Sequence, residues 1–420
     1  MSPSHFLMRA YQRHPLRFVR GRGTRLWDDQ GNEYLDAIAG VAVTNLGHAH
    51  PEVAEVIADQ ATRLLHTSNL FEIEWQEQLG QRLCDVAGLD SVFFCNSGAE
   101  ANETAIKLAR LHARARGIAT PVILVMENSF HGRTLATLSA TGSIAVREGF
   151  APMVEGFVHL PANDMAAIRA ITKARQDIVA VLFETVQGEG GVRPVSAEYL
   201  RALRAHCSDH DWLMMIDEVQ TGLGRTGAWF GYQHAQVLPD VVTVAKGLGN
   251  GIPIGACLAG GAAARLFTPG HHGSTFGGNP LACRVGCQVL DITMRDALPQ
   301  RAGRLGRRLL EGLRREVGSL PGVVEVRGQG LMVGIELDRP CDNLASLAIE
   351  HERLLINVTR GRTIRLLPAL VATDADIDDI LMRLSRLLRR YLAPVAQAKE
   401  SARSPQADAA ACRHAEASVR

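Results

Sequence analysis

The stretch Asp240-Val241-Val242-Thr243-Val244-Ala245-Lys246-Gly247-Leu248-Gly249-Asn250-Gly251 decides how the rest of this chain is read. Its first half is an apolar, β-branched run of strand length. The run delivers one lysine into a glycine-rich turn, where neighbouring side chains are absent and an ammonium can stand beside a cavity. Taken alone, such a lysine is usually just solvated. Upstream, however, Leu213-Met214-Met215-Ile216 is a second strand-like run, and it ends in Asp217-Glu218-Val219-Gln220, so that a carboxylate and an amide also arrive at a strand end.

A lysine able to form an imine, a carboxylate able to hold a ring proton and donors for a phosphate are what a pyridoxal phosphate enzyme requires. A phosphate cup is offered by residues 92–103, where the strand-like Val92-Phe93-Phe94-Cys95 runs into Asn96-Ser97-Gly98-Ala99-Glu100 and then into a helical pattern. Ser97 is a good N-cap, and Gly98 lets an anion approach the bare N–H groups at the positive end of a helix. The next strand-like run, 122–126, leads to Phe130-His131-Gly132-Arg133, a flat ring and a planar cationic fork on one loop. Another, 179–183, ends in Glu184-Thr185-Val186-Gln187-Gly188-Glu189, whose two glutamates are spaced too irregularly for one helix face and are expected to serve different partners.

Strand and helix signals alternate from about residue 92 to 294, which argues for an α/β fold with a mostly parallel sheet covered on both faces. Residues 17–27 and 33–38 read as a strand pair around the turn Asp28-Asp29-Gln30-Gly31-Asn32. Pro51 is placed to open a helix whose apolar face carries Val53, Val56, Ile57, Leu64 and Leu65. Beyond a basic helix at 299–317, short strands are expected at 323–326, 331–337 and 363–368. A last helix carries Ile377, Ile380, Leu381, Leu384, Leu387, Leu388 and Tyr391. This is the pattern of a smaller α+β domain completed by the N-terminal ribbon. The expected division is 1–45 and 298–395 for the small domain, 46–297 for the large one, and a disordered, alanine-rich tail at 396–420. Gly222-Leu223-Gly224-Arg225-Thr226-Gly227 matches a dinucleotide fingerprint in letters only, because no amphipathic helix opens after it.

The balance of charge, +1 over 420 residues, suggests no nucleic-acid partner, and no apolar run is long enough to span a membrane. Eight cysteines form no C-x-x-C pair, and the histidines at 48, 50, 271 and 272 lack partners at ligand spacing, so no metal is expected. Arginines at 9, 13, 17, 20, 22 and 25 superficially resemble a presequence, but the ribbon begins too early to leave room for one. Reduced thiols and a cytoplasmic location are the expectation.

Together, Ser97-Gly98-Ala99-Glu100-Ala101-Asn102-Glu103, Phe130-His131-Gly132-Arg133-Thr134, Asp217-Glu218-Val219-Gln220-Thr221-Gly222, Ala245-Lys246-Gly247 and Ser274-Thr275-Phe276-Gly277-Gly278-Asn279-Pro280 resemble the class III pyridoxal phosphate-dependent aminotransferases. The resemblance covers the chain up to its tail and is nearest to the members that use acetylornithine. It implies a fold type I transferase and a homodimer with a shared active site. Lys246 would be the imine-forming lysine and proton shuttle, with Asp217 paired to the ring nitrogen. Gly98 and Ala99 would hold the phosphate, Phe130 would stack on the ring and Gln220 would reach its phenolic oxygen. Glu218 and Val219 would flank the cofactor, and Glu184 would support its surroundings. Thr275, with Ser274 nearby, would come from the other subunit. Arg133 would hold a substrate's distal carboxylate and Arg365 the α-carboxylate of glutamate, with Glu189 neutralising Arg365 in the other half-reaction. The implied reaction moves the terminal amine of N2-acetylornithine to 2-oxoglutarate. The same chemistry on N-succinyl-diaminopimelate, ornithine or 4-aminobutyrate is the near alternative. An isomerase resembling glutamate-1-semialdehyde aminomutase is disfavoured, since it needs no second amino acid and so no paired arginines.

Overall fold

A computed structural model of the chain describes residues 6–393. The tail expected to be disordered lies outside them. At the centre is a seven-stranded sheet in the spatial order Ser91–Cys95, Gly255–Ala259, Val241–Val244, Leu213–Asp217, Ile178–Glu184, Val122–Met126, Phe157–Leu160. All neighbouring pairs are parallel except the two made by Gly255–Ala259, which runs antiparallel to both of its neighbours. Successive residues go to opposite faces, as the pleat demands. Leu124, Val181, Phe183, Met214 and Ile216 enter one core with Leu79, Leu203 and Cys283. Ile123, Ala180, Leu182 and Met215 enter another, beneath Ile106, Leu108 and Ala109 of the Gly98–Ala115 helix. This burial on both faces explains why these strands read as continuous apolar runs rather than alternations.

Register places the chemistry. Asp217 is paired with Glu184 on one side and Thr243 on the other, so the carboxyl-terminal ends of three adjacent strands finish in one row. Lys246 follows three residues beyond Thr243. It opens a short 3-10 turn with φ 45°, a left-handed conformation uncommon outside glycine.

A second, antiparallel sheet runs in the order Val323–Gln329, Met332–Leu337, Thr363–Leu366, Asn357–Thr359, and the helices Leu298–Val317 and Asp374–Leu392 share its core. That core also takes in Leu35 and Leu46, Val53 and Val56 of the Pro51–Arg63 helix, and Val285, Val289 and Ile292 of Pro280–Arg295. An N-terminal and a C-terminal segment meet in a third sheet, where Leu354–Leu355 pairs in parallel with Glu33–Asp36.

Several expectations need correction. Residues 17–27 form two antiparallel strands, Phe18–Arg22 and Arg25–Asp28, because Gly23 turns the chain with φ 58°. The Pro51–Arg63 helix ends before Leu64 and Leu65, and both are exposed rather than part of its buried face. The strands Gly255–Ala259 and Phe157–Leu160 and the helix Leu344–Glu352 had no counterpart in the sequence reading.

Around Gly222-Leu223-Gly224-Arg225-Thr226-Gly227 the chain forms turns followed by a short 3-10 segment, Gly231–Ala235, and no helix opens there. Its arginine has a structural task. Arg225 is wholly buried and donates to the carbonyls of Leu331 and Pro368 and to Asn45 Oδ1, with no carboxylate partner among the described residues. Burial lowers its pKa to about 9.

Candidate active site

Beyond the ends of the central strands lies a cavity of about 390 Å³, within the span usual for small-molecule sites. Its wall includes Ser97, Gly98, Ala99, Phe130, Arg133, Glu184, Glu189, Asp217, Val219, Gln220 and Lys246. A larger hollow of about 700 Å³ opens at the other end of the sheet, near Arg110, Arg114 and Arg175, away from these groups.

Asp217 is 4% exposed and held from three directions. Its Oδ2 accepts from Asn102 Nδ2 at 2.7 Å and faces His131 Nδ1 at 2.8 Å, while Oδ1 accepts from the Val219 amide at 3.0 Å. The imidazole nitrogen facing a carboxylate carries the proton. Asn102 is itself fixed, accepting from Thr243 Oγ1 at 2.8 Å and donating to the His131 carbonyl at 2.8 Å. A carboxylate so arranged is fixed in direction, the property needed to hold a ring N–H.

The Lys246 ammonium has neither a hydrogen-bond nor a carboxylate partner among the described residues. Burial, with Arg365 next in weight, depresses its pKa from 10.5 to about 8, and Asp217 opposes the shift. An amine set free of its proton at moderate pH is a nucleophile. Gly98 opens the helix capped by Ser97, whose hydroxyl accepts from the Glu100 amide at 3.2 Å. First-turn N–H groups have no partner within a helix and suit an anion. Gly98 is also a close approach, since a Cβ there would lie 2.7 Å from Val219 Cγ1. A phosphorylated pyridine aldehyde entering this cavity would find an amine, a fixed carboxylate, open helix amides and the Phe130 ring among its lining groups.

Two arginines stand at this cavity differently, Arg133 on its wall and Arg365 behind Glu189 and Gln220. Arg133 is exposed, lies 5.6 Å from the Phe130 ring centroid, and has no carboxylate partner among the described residues. Arg365, 1% exposed, is covered. Its Nη1 donates to Glu189 Oε1 at 2.6 Å and to Gln220 Oε1 at 3.2 Å, and its Nε and Nη2 both donate to Asn357 Oδ1. Glu184 joins two loops, its oxygens accepting from the Phe130 amide at 3.0 Å and the Gly188 amide at 3.1 Å. Burial raises its pKa to about 7, against the pull of His131 and with help from Asp217.

Most of the residues read from sequence line this cavity, and four do not: Arg365 stands behind the wall, reaching it through Glu189 and Gln220, and the other three lie elsewhere. Glu218 turns away into the core, where it accepts from Thr221 Oγ1 at 2.5 Å and the Tyr232 amide at 3.1 Å, so it does not line the cavity. Ser274 and Thr275 also lie off the wall: Ser274 caps its own turn by accepting from the Gly277 amide at 2.9 Å, and Thr275 is exposed. Asn102, His131 and Asn357 were not assigned roles from sequence. Asn102 and His131 sit inside quoted motifs, but nothing in their spacing shows that both face Asp217.

Comparison with known proteins shows the family. The family model for class-III aminotransferases matches residues 7–388. The acetylornithine aminotransferase of Nitrosomonas europaea is 50% identical over 386 residues, 92% of this chain and 98% of the relative. The crystal structure of acetylornithine aminotransferase from Elizabethkingia anophelis superposes with a TM-score of 0.81 at 33% identity, over 91% of this chain and 96% of that one. An ornithine aminotransferase from Toxoplasma gondii, with partial occupancy of PLP at its active site, gives a TM-score of 0.87 at 34% identity, over 91% and 92%.

Proposed function

The chain belongs to the class-III aminotransferases, and on that premise we propose that it transfers the terminal amine of N2-acetylornithine to 2-oxoglutarate. The products are N-acetylglutamate 5-semialdehyde and glutamate, a step of arginine biosynthesis. The observation that carries the reading is the pair of arginines around Lys246, one open and one covered by Glu189.

The family depends on pyridoxal 5'-phosphate, which when bound supplies the aldehyde that receives the amine and a ring that accepts electrons from the breaking C–H bond. Lys246 would hold it, and once displaced would move the proton at the amine-bearing carbon. Asp217 would keep the ring nitrogen protonated, with Asn102 and His131 fixing its carboxylate. Gly98 and Ala99 would take the phosphate on their amides, Phe130 would lie along the ring and Gln220 would donate to its phenolic oxygen.

The two substrates differ in where their carboxylates stand relative to the reacting amine. Arg133 binds the distal carboxylate of either one. In the acetylornithine half-reaction no carboxylate is available near the amine, and Glu189 keeps the buried Arg365 neutralised, since an unpaired buried guanidinium is costly. In the glutamate half-reaction the α-carboxylate replaces Glu189 in a charge-assisted, forked contact.

The same reading makes the protein a cytoplasmic homodimer whose small domain is built from both chain ends. Thr275 and Ser274 would complete the partner's phosphate site. Exposed Leu64, Leu65, Leu70, Phe71 and Phe276 near that loop supply the apolar surface such a contact uses, with Asn69 tied to the Ser274 carbonyl at 2.9 Å. The seven described cysteines are all free and no described helix is long and apolar enough to cross a membrane.

The test is to mix the cofactor-loaded protein with single amino donors in the absence of keto acid and follow its visible absorbance. Faster conversion by acetylornithine than by ornithine, 4-aminobutyrate or N-succinyl-diaminopimelate supports the assignment. A preference for one of the others moves the enzyme to that substrate.

A further inference from the structure

Glu189 stands on the loop 188–192, and the structure grips that loop from both sides. On the side of the central sheet, Glu184 accepts from the Gly188 amide at 3.1 Å. On the side of the antiparallel sheet stands Arg327, 6% exposed, on the Val323–Gln329 strand. Its Nε donates to the carbonyls of Gly191 at 3.1 Å and Val192 at 3.0 Å, and its Nη2 donates to Gly191 O at 2.6 Å. Its remaining nitrogen, Nη1, is aimed by Glu325 at 2.7 Å and Glu336 at 2.6 Å.

The loop held in this way is not relaxed. Gly191 has φ 98° and Val192 φ 53°, and a β-branched residue in the left-handed region is a true outlier that survives only when its surroundings over-determine it. Val192 is fully buried against Ala42, Val186, Met332 and Leu367. The facing strand makes room for it with Gly334, where a Cβ would stand 2.9 Å from Val192 Cβ. Two independent features, a guanidinium on the loop carbonyls and a pocket shaped for Val192, thus hold the backbone in a strained form that presents Glu189 to Arg365. Strain of this kind gathers at switches.

We infer that Arg327 is a positioning residue for donor selection: by fixing the carbonyls of Gly191 and Val192 it sets the place from which Glu189 covers Arg365. With the backbone pinned at both ends and the Glu189 side chain 41% exposed, the exchange between covering Arg365 and admitting an α-carboxylate is a side-chain rotation over a fixed loop. The inference rests on the switch role proposed for Glu189. Releasing the grip should therefore harm the half-reaction that needs Glu189 in place and spare the one that needs it moved aside.

The experiment measures single-turnover rates of the cofactor-loaded enzyme with acetylornithine alone and with glutamate alone, for Arg327→Met, Arg327→Lys, Glu336→Gln and Glu189→Gln. For Arg327→Met the ratio of acetylornithine to glutamate rates should fall about tenfold or more, the scale set by lost charge-assisted hydrogen bonds. Arg327→Lys should recover part of that ratio, because an ammonium keeps the charge but not the fork. Glu336→Gln leaves Arg327 in place with a weaker anchor, and it should move the ratio the same way by less. It also carries the test if Arg327→Met does not fold. Unchanged ratios in the Arg327 and Glu336 variants, beside a selective loss in Glu189→Gln, overturn the inference and leave the switch standing. An unselective Glu189→Gln brings down the switch reading and the inference with it.

Discussion

The depressed pKa of Lys246 should speed capture of the cofactor by the empty protein, and removing Arg365 should change that rate measurably. Burial and the Arg365 cation bring the lysine to about 8 from an ordinary 10.5. At pH 7 a group at 8 is about 9% neutral and one at 10.5 about 0.03%, so the structure gives this amine an advantage of about 300-fold in its reactive form. The assay mixes cofactor-free protein with pyridoxal 5'-phosphate at a series of pH values and records the growth of visible absorbance. Each rate is divided by that of a simple alkylamine, which removes the titration of the aldehyde itself. The normalised excess should be large at neutral pH and shrink as the alkylamine also loses its proton, with the protein's own rate levelling near pH 8. Arg365→Met takes away the second cause of the shift and leaves Glu189 nearby, so the levelling point should move upward and capture at pH 7 should slow. A protein rate that climbs steadily to pH 10 would refute the depressed pKa of Lys246, and a levelling point indifferent to Arg365 would refute the guanidinium as one of its causes.

Further outcomes follow from the same geometry. Lys246→Met should abolish transamination. Below pH 8 it should also stabilise the cofactor-free protein, because a cation whose folded pKa is depressed costs stability that is regained as pH rises from about 8 to 10.5; thermal midpoints of the two proteins should converge across that window. Arg133→Leu should raise KM about 10–100-fold for both acetylornithine and 2-oxoglutarate, since both use one charge-assisted contact, and steady-state kinetics with each substrate varied would show whether only one is affected. Asp217→Asn should lower kcat by about 10²–10³ with the fold intact by circular dichroism, as expected for loss of a preorganised charge. Gly98→Ala should weaken cofactor retention in dialysis, because its Cβ would meet Val219 Cγ1 at 2.7 Å; adding Val219→Ala should restore it.

The residues that could be found in the sequence were those announced by a change of local pattern. Lys246, Asp217 and Glu184 each end an apolar run, and the register of a parallel sheet then brings such ends together without further information. Gly98 was marked by the cap before it. Asn102 and His131 carry no such mark, because their meeting at Asp217 depends on how a helix and a loop lie over the sheet. Glu218 was drawn into the site by being next to Asp217, yet adjacent residues at a strand end point to opposite sides, and it went to the core. The strand Gly255–Ala259 was missed because glycine and alanine weaken a strand signal. Arg327 was invisible for a deeper reason: its partners on the Glu189 loop are 135 and 136 residues away, and they are backbone carbonyls, which no side-chain pattern records.

Arg225 has a consequence for how the protein is made. Its guanidinium belongs to the middle of the chain, but one of its carbonyl acceptors, on Pro368, is 143 residues later. At a synthesis rate of about 5–20 residues per second, that acceptor leaves the ribosome roughly 7–30 s after the arginine does. During that interval the cation lacks at least one of its three acceptors, and burying it short of that bond is costly, so the loop that carries it should stay in water and the central sheet stay open to the C-terminal sheet. Nascent chains halted before Pro368 should accordingly remain open to proteases at the 222–227 turn, and release of the last segment should close it.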